Sequence, residues 1–121
     1  MNEYKYPVEI IPPESHLFRR FPPYQYNPVT GKAIADTFNK EKCSVDWDRY
    51  ASPQDTLSRV KKNNPWGVVR IQAGYVRSVG EQKVLHEPYF YQAHSEISGK
   101  KNMEICDELA KGAHLVIMPK F

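Results

Sequence analysis

Gly67-Val68-Val69-Arg70-Ile71-Gln72-Ala73-Gly74-Tyr75 is the stretch on which the fold turns. Val69, Ile71, Ala73 and Tyr75 alternate with Val68, Arg70, Gln72 and Gly74. A period of two predicts a half-buried strand that turns one face inward. Gly80 with Glu81 supplies a turn, after which Lys83-Val84-Leu85-His86 can return as an antiparallel partner. Pro88 ends that strand, and Gln92 to Ile97 offers another before the break at Gly99. Upstream, His16 to Phe21 reads as a short strand and Ser44-Val45-Asp46-Trp47 as a short edge strand. His114 to Met118 reads as a final, well-buried strand closed by Pro119.

Two helices punctuate these strands. Ser52 can cap the first, Pro53 suits its first position, and Asp55 sits where a carboxylate meets unpaired amides. Asn63-Asn64-Pro65 stops it after about ten residues. Asn102 caps the second, in which Met103, Cys106 and Ala110 recur at helical spacing until Gly112. Six of the ten prolines fall before residue 29, which excludes a long helix or central strands there, and Tyr24 to Lys32 reads as an aromatic loop turning at Thr30-Gly31. The order predicts one α+β domain over 1–121, with a mostly antiparallel sheet and two short helices. Residues 1–33 form a Pro/Tyr-rich extended segment and 42–121 the sheet-and-helix core. Both helices are expected on one face, with Val69, Ile71, Leu109 and Val116 in a common core.

The 121 residues carry 17 Lys+Arg against 14 Asp+Glu, a mild bias of +3 that compels no polyanionic partner. Eight Tyr, five Phe and two Trp argue against a disordered chain. The longest apolar run, Leu115 to Met118, is far short of a membrane span, and Met1 to Tyr6 has no signal-like apolar stretch. Cys43 and Cys106 are too few for a disulfide scaffold and read as buried small hydrophobes in a reducing compartment. A cytoplasmic location is therefore expected. Walker, Rossmann, zincin and nucleophile-elbow motifs are all missing from the sequence.

Four constellations could carry function. In the first, His16 precedes Arg19 and Arg20, whose guanidinium forks suit phosphate or carboxylate oxygens. A strand puts Arg19 on one face with Leu17 and Phe21, and Arg20 on the other with Phe18. One arginine is expected to meet an acid (Glu14, Asp46 or Asp48) or a carbonyl inside the protein, and the other to be exposed. In the second, His86-Glu87 and His94-Ser95-Glu96 could approach across neighbouring strands as an acid–base pair. Their spacing closes no four-ligand metal site, so neither a metal nor a cofactor is expected. The third is a basic stripe of Arg59, Lys61, Lys62, Arg70 and Arg77, interleaved with Trp66 and Tyr75, which suits weak nucleic-acid binding. The fourth is Tyr24, Tyr26, Tyr89 and Tyr91, all in loops, where tyrosine adds contact area to a protein-binding surface.

Leu17-Phe18-Arg19-Arg20-Phe21-Pro22-Pro23, Thr37-Phe38, Ser44-Val45-Asp46-Trp47, His86-Glu87-Pro88 and Ala93-His94-Ser95-Glu96-Ile97, taken together, resemble small bacterial proteins of uncharacterised function with an LxRR…SVDW…AHxxI pattern. The resemblance covers about residues 16–118 and attaches no activity. It implies a bacterial or phage source and singles out Arg19, Arg20 and His94. Two functions are expected from these readings. The first is a non-enzymatic interaction or regulatory module that docks another protein, such as a larger effector or toxin, through the Pro/Tyr-rich half and the Tyr89–Tyr91 loop. The alternative is a small metal-independent enzyme acting on RNA or a nucleotide phosphodiester. In it, His94 with Glu96 would move protons while Arg19 or Arg20 holds the phosphate.

Overall fold

The structure is a computed structural model that describes residues 4–60 and 63–121. Six strands, β1 (His16–Phe21), β4 (Lys42–Trp47), β5 (Gly67–Gln72), β6 (Lys83–His86), β7 (His94–Ser98) and β8 (His114–Ile117), form one sheet in the order β6-β7-β4-β1-β5-β8. All its pairings are antiparallel. The loop after β1 carries a small hairpin, β2 (Tyr26–Asn27) with β3 (Lys32–Ala33), which turns at Gly31 with φ +69°. Helices α1 (Pro53–Ser58), α2 (Ala73–Ser78) and α3 (Met103–Gly112) complete the α+β fold.

The registers assign every strand residue to a face. Leu17 lies opposite Trp47 on one side and Ile71 on the other, so these three share a face. With Val45, Val69 and Ile97 they build the core, closed by Val76 of α2, Leu109 of α3 and Phe38. Phe18, opposite Asp46 and Arg70, belongs to the reverse face. There α1 settles over β1 and β5, and the Thr56 hydroxyl donates to Asp46 Oδ2 at 2.6 Å.

Five expectations are corrected, the fifth for the last strand. Ser44–Trp47 belongs to an interior strand; its alternating acids read as an edge, but Asp46 is buried beneath α1. The two helices expected on one face lie on opposite faces, because the short connection after β4 carries α1 to the Asp46 side. Residues 73–78 leave the strand pattern and form α2. Ala73 and Val76, three apart, both reach the core there, while the Gly74 amide bonds to the Pro13 carbonyl at 2.8 Å. The first helix covers six residues rather than about ten, ending as the Val60 amide closes a tight turn on Leu57.

The last strand is the other sheet edge. Val68 pairs with Ile117 and Val69 with Leu115, so Val116 is an extra residue in a bulge and is 37% exposed. The apolar run Leu115 to Met118 read as well buried and put Val116 in the core, whereas in this edge strand the residues alternate between exposed and half-buried. Val116→Asp is accordingly expected to remain folded at a cost below about 1 kcal/mol. Denaturant unfolding checks this, and loss of a cooperative transition would contradict the bulge.

The Ser52 cap is reciprocal: the Asp55 amide donates to Ser52 Oγ at 3.1 Å, and the Ser52 amide to Asp55 Oδ2 at 2.8 Å. Those hydrogen bonds hold the Asp55 carboxyl below its ordinary pKa. The unfolded chain then takes up the proton more readily, so the cap contributes fully above about pH 4 and is lost as pH falls. The difference in melting temperature between the protein and Asp55→Ala should therefore be largest near neutrality and shrink as pH falls through the carboxylate range. A pH-independent difference would assign the effect to helix propensity alone.

Candidate functional site

Because Arg19 and Arg20 are adjacent in β1, they leave the sheet on opposite faces. Arg19 lies on the core side and donates from Nε to the Thr37 carbonyl at 2.6 Å and from Nη1 to the Ser44 carbonyl at 2.7 Å. Burial lowers its pKa. The inward arginine thus meets carbonyls, as one branch of the expectation had it. Of the acids named as its partners, Asp46 is engaged by Arg59 and Asp48 by His16 at 3.8 Å, while Glu14 is exposed with no side-chain hydrogen bond or ion pair among the described residues. Arg20 is half-exposed on the α1 face, with no hydrogen bond or ion pair among the described residues.

His94 shares that face, directly opposite Asp46. Its Nδ1 stands 2.7 Å from the Glu87 carbonyl, so in the neutral ring Nδ1 carries the hydrogen and Nε2 the lone pair. Tyr91 meets the imidazole edge-on at 5.5 Å, and the Arg59 guanidinium lies 3.5 Å over the Tyr91 ring. Arg59 in turn donates to Asp46 Oδ2 at 3.0 Å. Burial and then the Asp46 charge raise the Tyr91 phenol. Glu96, two residues beyond His94, lies opposite Ser44 on the same face. The cavity among Phe18, Arg20, Ser44, Asp46, Thr56 and Tyr91 measures only about 10 Å³, close to the least that a water needs. No substrate fits there. These side chains form a closed network rather than a reaction pocket.

His86 does not join His94. It lies opposite Ser95, one register step from His94, and so turns to the other face. It is buried against Trp47, with both nitrogens engaged: Nδ1 accepts from the Glu9 amide at 2.9 Å, and Nε2 lies 2.7 Å from the Gln92 carbonyl. Among the described residues no three His, Cys, Asp or Glu side chains come together as a ligand set. Cys43 and Cys106 are free and buried.

The basic stripe is dispersed. Arg59 is taken by Asp46, and Arg77 donates to the Ile11 carbonyl at 2.7 Å. Lys61 and Lys62 lie outside the described residues. Trp66 is half-buried, and the Tyr75 hydroxyl donates to the Glu108 carbonyl at 2.6 Å. Arg70 is exposed with no hydrogen bond or ion pair among the described residues.

The tyrosines separate into two groups at opposite ends of the strands. Tyr24, 81% exposed, and Tyr26, packed on Phe121, follow the end of β1. Tyr89 and Tyr91 lie in the connection from β6 to β7, beyond the start of β1. There the N-terminal segment joins them. Tyr4 stacks on Tyr89 at 4.3 Å and its hydroxyl donates to the Glu87 carboxylate, which pushes the phenol's pKa up. The Tyr50 hydroxyl donates to Glu9, whose neighbours Val8 and Ile10 are 51% and 89% exposed. Phe90 is 81% exposed beside Tyr89. Sequence reading missed Val8, Ile10 and Phe90. The one available signal was Val8 and Ile10 flanking a charged Glu9, an alternation that turns apolar groups outward once Glu9 is held inward.

Comparison of the chain with protein-family models, with curated proteins and with solved structures finds no match. The resemblance drawn above therefore rests on its quoted residues alone. Among the described residues, no helix is long and apolar enough to cross a membrane.

Proposed function

We propose that the protein is a non-enzymatic interaction module of a bacterial or phage cytosolic system. It docks another protein, a larger effector or toxin, through the corner formed by Tyr89, Phe90, Val8 and Ile10. The observation that carries this reading is large apolar surface held outward on a hydrogen-bonded frame. Phe90 and Ile10 are more than four-fifths exposed, while Glu9, Tyr50, His86, Glu87 and Tyr4 bond to one another or to nearby backbone beneath them. Exposed aromatics on a rigid base supply contact area with little entropy to lose on binding. The phosphodiester enzyme has less support. It needs Arg19, Arg20 and His94 in one cleft, but Arg19 is on the other face and the space beside Arg20 holds no substrate.

The test is affinity capture with crosslinking from the native host, using the protein and its Phe90→Glu and Ile10→Glu variants. A partner enriched by the protein should be lost at least about tenfold with either variant, since a charge at an interface anchor costs about 2 kcal/mol or more. Tyr24→Glu, at the other end of the sheet, should retain it. Equal recovery with all three variants contradicts the docking corner, and turnover of RNA by the purified protein contradicts the non-enzymatic reading.

A further inference from the structure

We infer that a second site, for a phosphate ester, lies at the end of the sheet, in a cleft of about 430 Å³ where side chains of β1, β5 and β8 meet Tyr75 of α2 and the C-terminal end of α3. Its sheet side follows from two registers: His16 lies opposite Gln72, and Arg70 opposite His114. These residues alternate with core-facing neighbours, so all four project to one side. Tyr75, Lys111 and Gly112 close the remaining wall. Gly112 is required there, because a Cβ at that position would stand 2.1 Å from the Tyr75 ring.

Four basic side chains, His16, Arg70, Lys111 and His114, line the cleft, and no carboxylate does. Two acids beside it are engaged: Asp48, 3.8 Å from His16, and Glu108, 3.0 Å from Lys111. Arg70 and His114 have no hydrogen bond or ion pair among the described residues. The C-terminal end of α3 would ordinarily repel an anion. Here the Glu108 carbonyl accepts the Tyr75 hydroxyl at 2.6 Å, and the Lys111 carbonyl accepts Lys32 Nζ at 2.8 Å. The negative helix end is thereby covered, and a free guanidinium fork faces the space.

That arrangement suits a phosphate oxygen pair on Arg70, with imidazole N–H groups as further donors. The volume is within the range of small-ligand pockets and accepts a nucleotide-sized group. The phosphate can belong to a free nucleotide or to a nucleic-acid strand.

The experiment titrates the full chain with uridine monophosphate and, separately, with a short oligouridylate, followed by NMR shifts of the cleft residues. Arg70→Gln is expected to weaken binding about tenfold or more, as loss of a charge-assisted hydrogen-bonding group does. Lys83→Gln removes the same charge from β6, away from the cleft, and should leave affinity unchanged. His114→Ala should weaken binding as well, because it removes a donor from the cleft. Oligouridylate binding with a steep salt slope, without monophosphate binding, supports the site and makes the strand its ligand. Comparable binding of the monophosphate supports it and makes a nucleotide the ligand. Binding of neither probe, or equal weakening by Arg70→Gln and Lys83→Gln, overturns the inference.

Discussion

Asp46→Ala is expected to destabilise the fold by about 3 kcal/mol, near the lower bound for breaking a buried ion pair from one side. Asp46 sits in an interior strand with its side chain only 3% exposed, and both the Thr56 hydroxyl and Arg59 Nε converge on its Oδ2. Removing the carboxylate leaves the guanidinium without its acid and the Thr56 hydroxyl with only its long bond to the Ser52 carbonyl, 3.4 Å, while Arg59 still presses on Tyr91. The loss should therefore reach His94, which Tyr91 meets edge-on. Asp46→Ala/Arg59→Met should recover part of the cost, because the uncompensated cation goes with it. Urea denaturation of the four proteins of this cycle measures the coupling. Additive losses would mean that Asp46 and Arg59 act independently, against the geometry.

Arg19→Lys is the second large effect, about 2 kcal/mol, the scale of a hydrogen bond from a charged donor. The guanidinium spans the Thr37 carbonyl, in the 3-10 turn Ala35–Phe38, and the Ser44 carbonyl in β4. It thus ties that turn, and with it Phe38 of the core, to the sheet. An ammonium is a point charge and reaches one carbonyl where the fork reaches two. Arg20→Lys, on a side chain with no hydrogen bond or ion pair among the described residues, should change stability by less than about 0.5 kcal/mol. Thermal melts of the two variants separate the roles. Equal stability of both would remove the structural assignment of Arg19 and return it to the ligand-binding candidates.

Legibility was uneven in the candidate sites. That Arg19 and Arg20 part to opposite faces follows from strand geometry alone, as does the pairing of His94 with Glu96 on one face. Which arginine faces inward depends on what packs above it, and that is Phe38 and the 3-10 turn before it. The docking corner was half visible. Tyr89 was a candidate from its loop, but Val8, Ile10 and Phe90 gain their meaning only when Glu9 is drawn in by His86 and Tyr50.

The sequence by itself determined the α+β class, the middle of each of the six strands of the main sheet, both capped helix starts and the stop at Gly112. Those features depend on residues within a few positions of one another: alternation, a cap hydroxyl or amide, a proline. Only the tertiary structure decided that residues 73–78 coil, that Val116 bulges outward, and that α1 and α3 lie on opposite faces. It also parted His86 from His94 and brought His16 and His114 to one cleft from opposite ends of the chain. Registers between distant strands settle such matters, and a register is chosen by the burial of whole faces, which no local window of sequence contains.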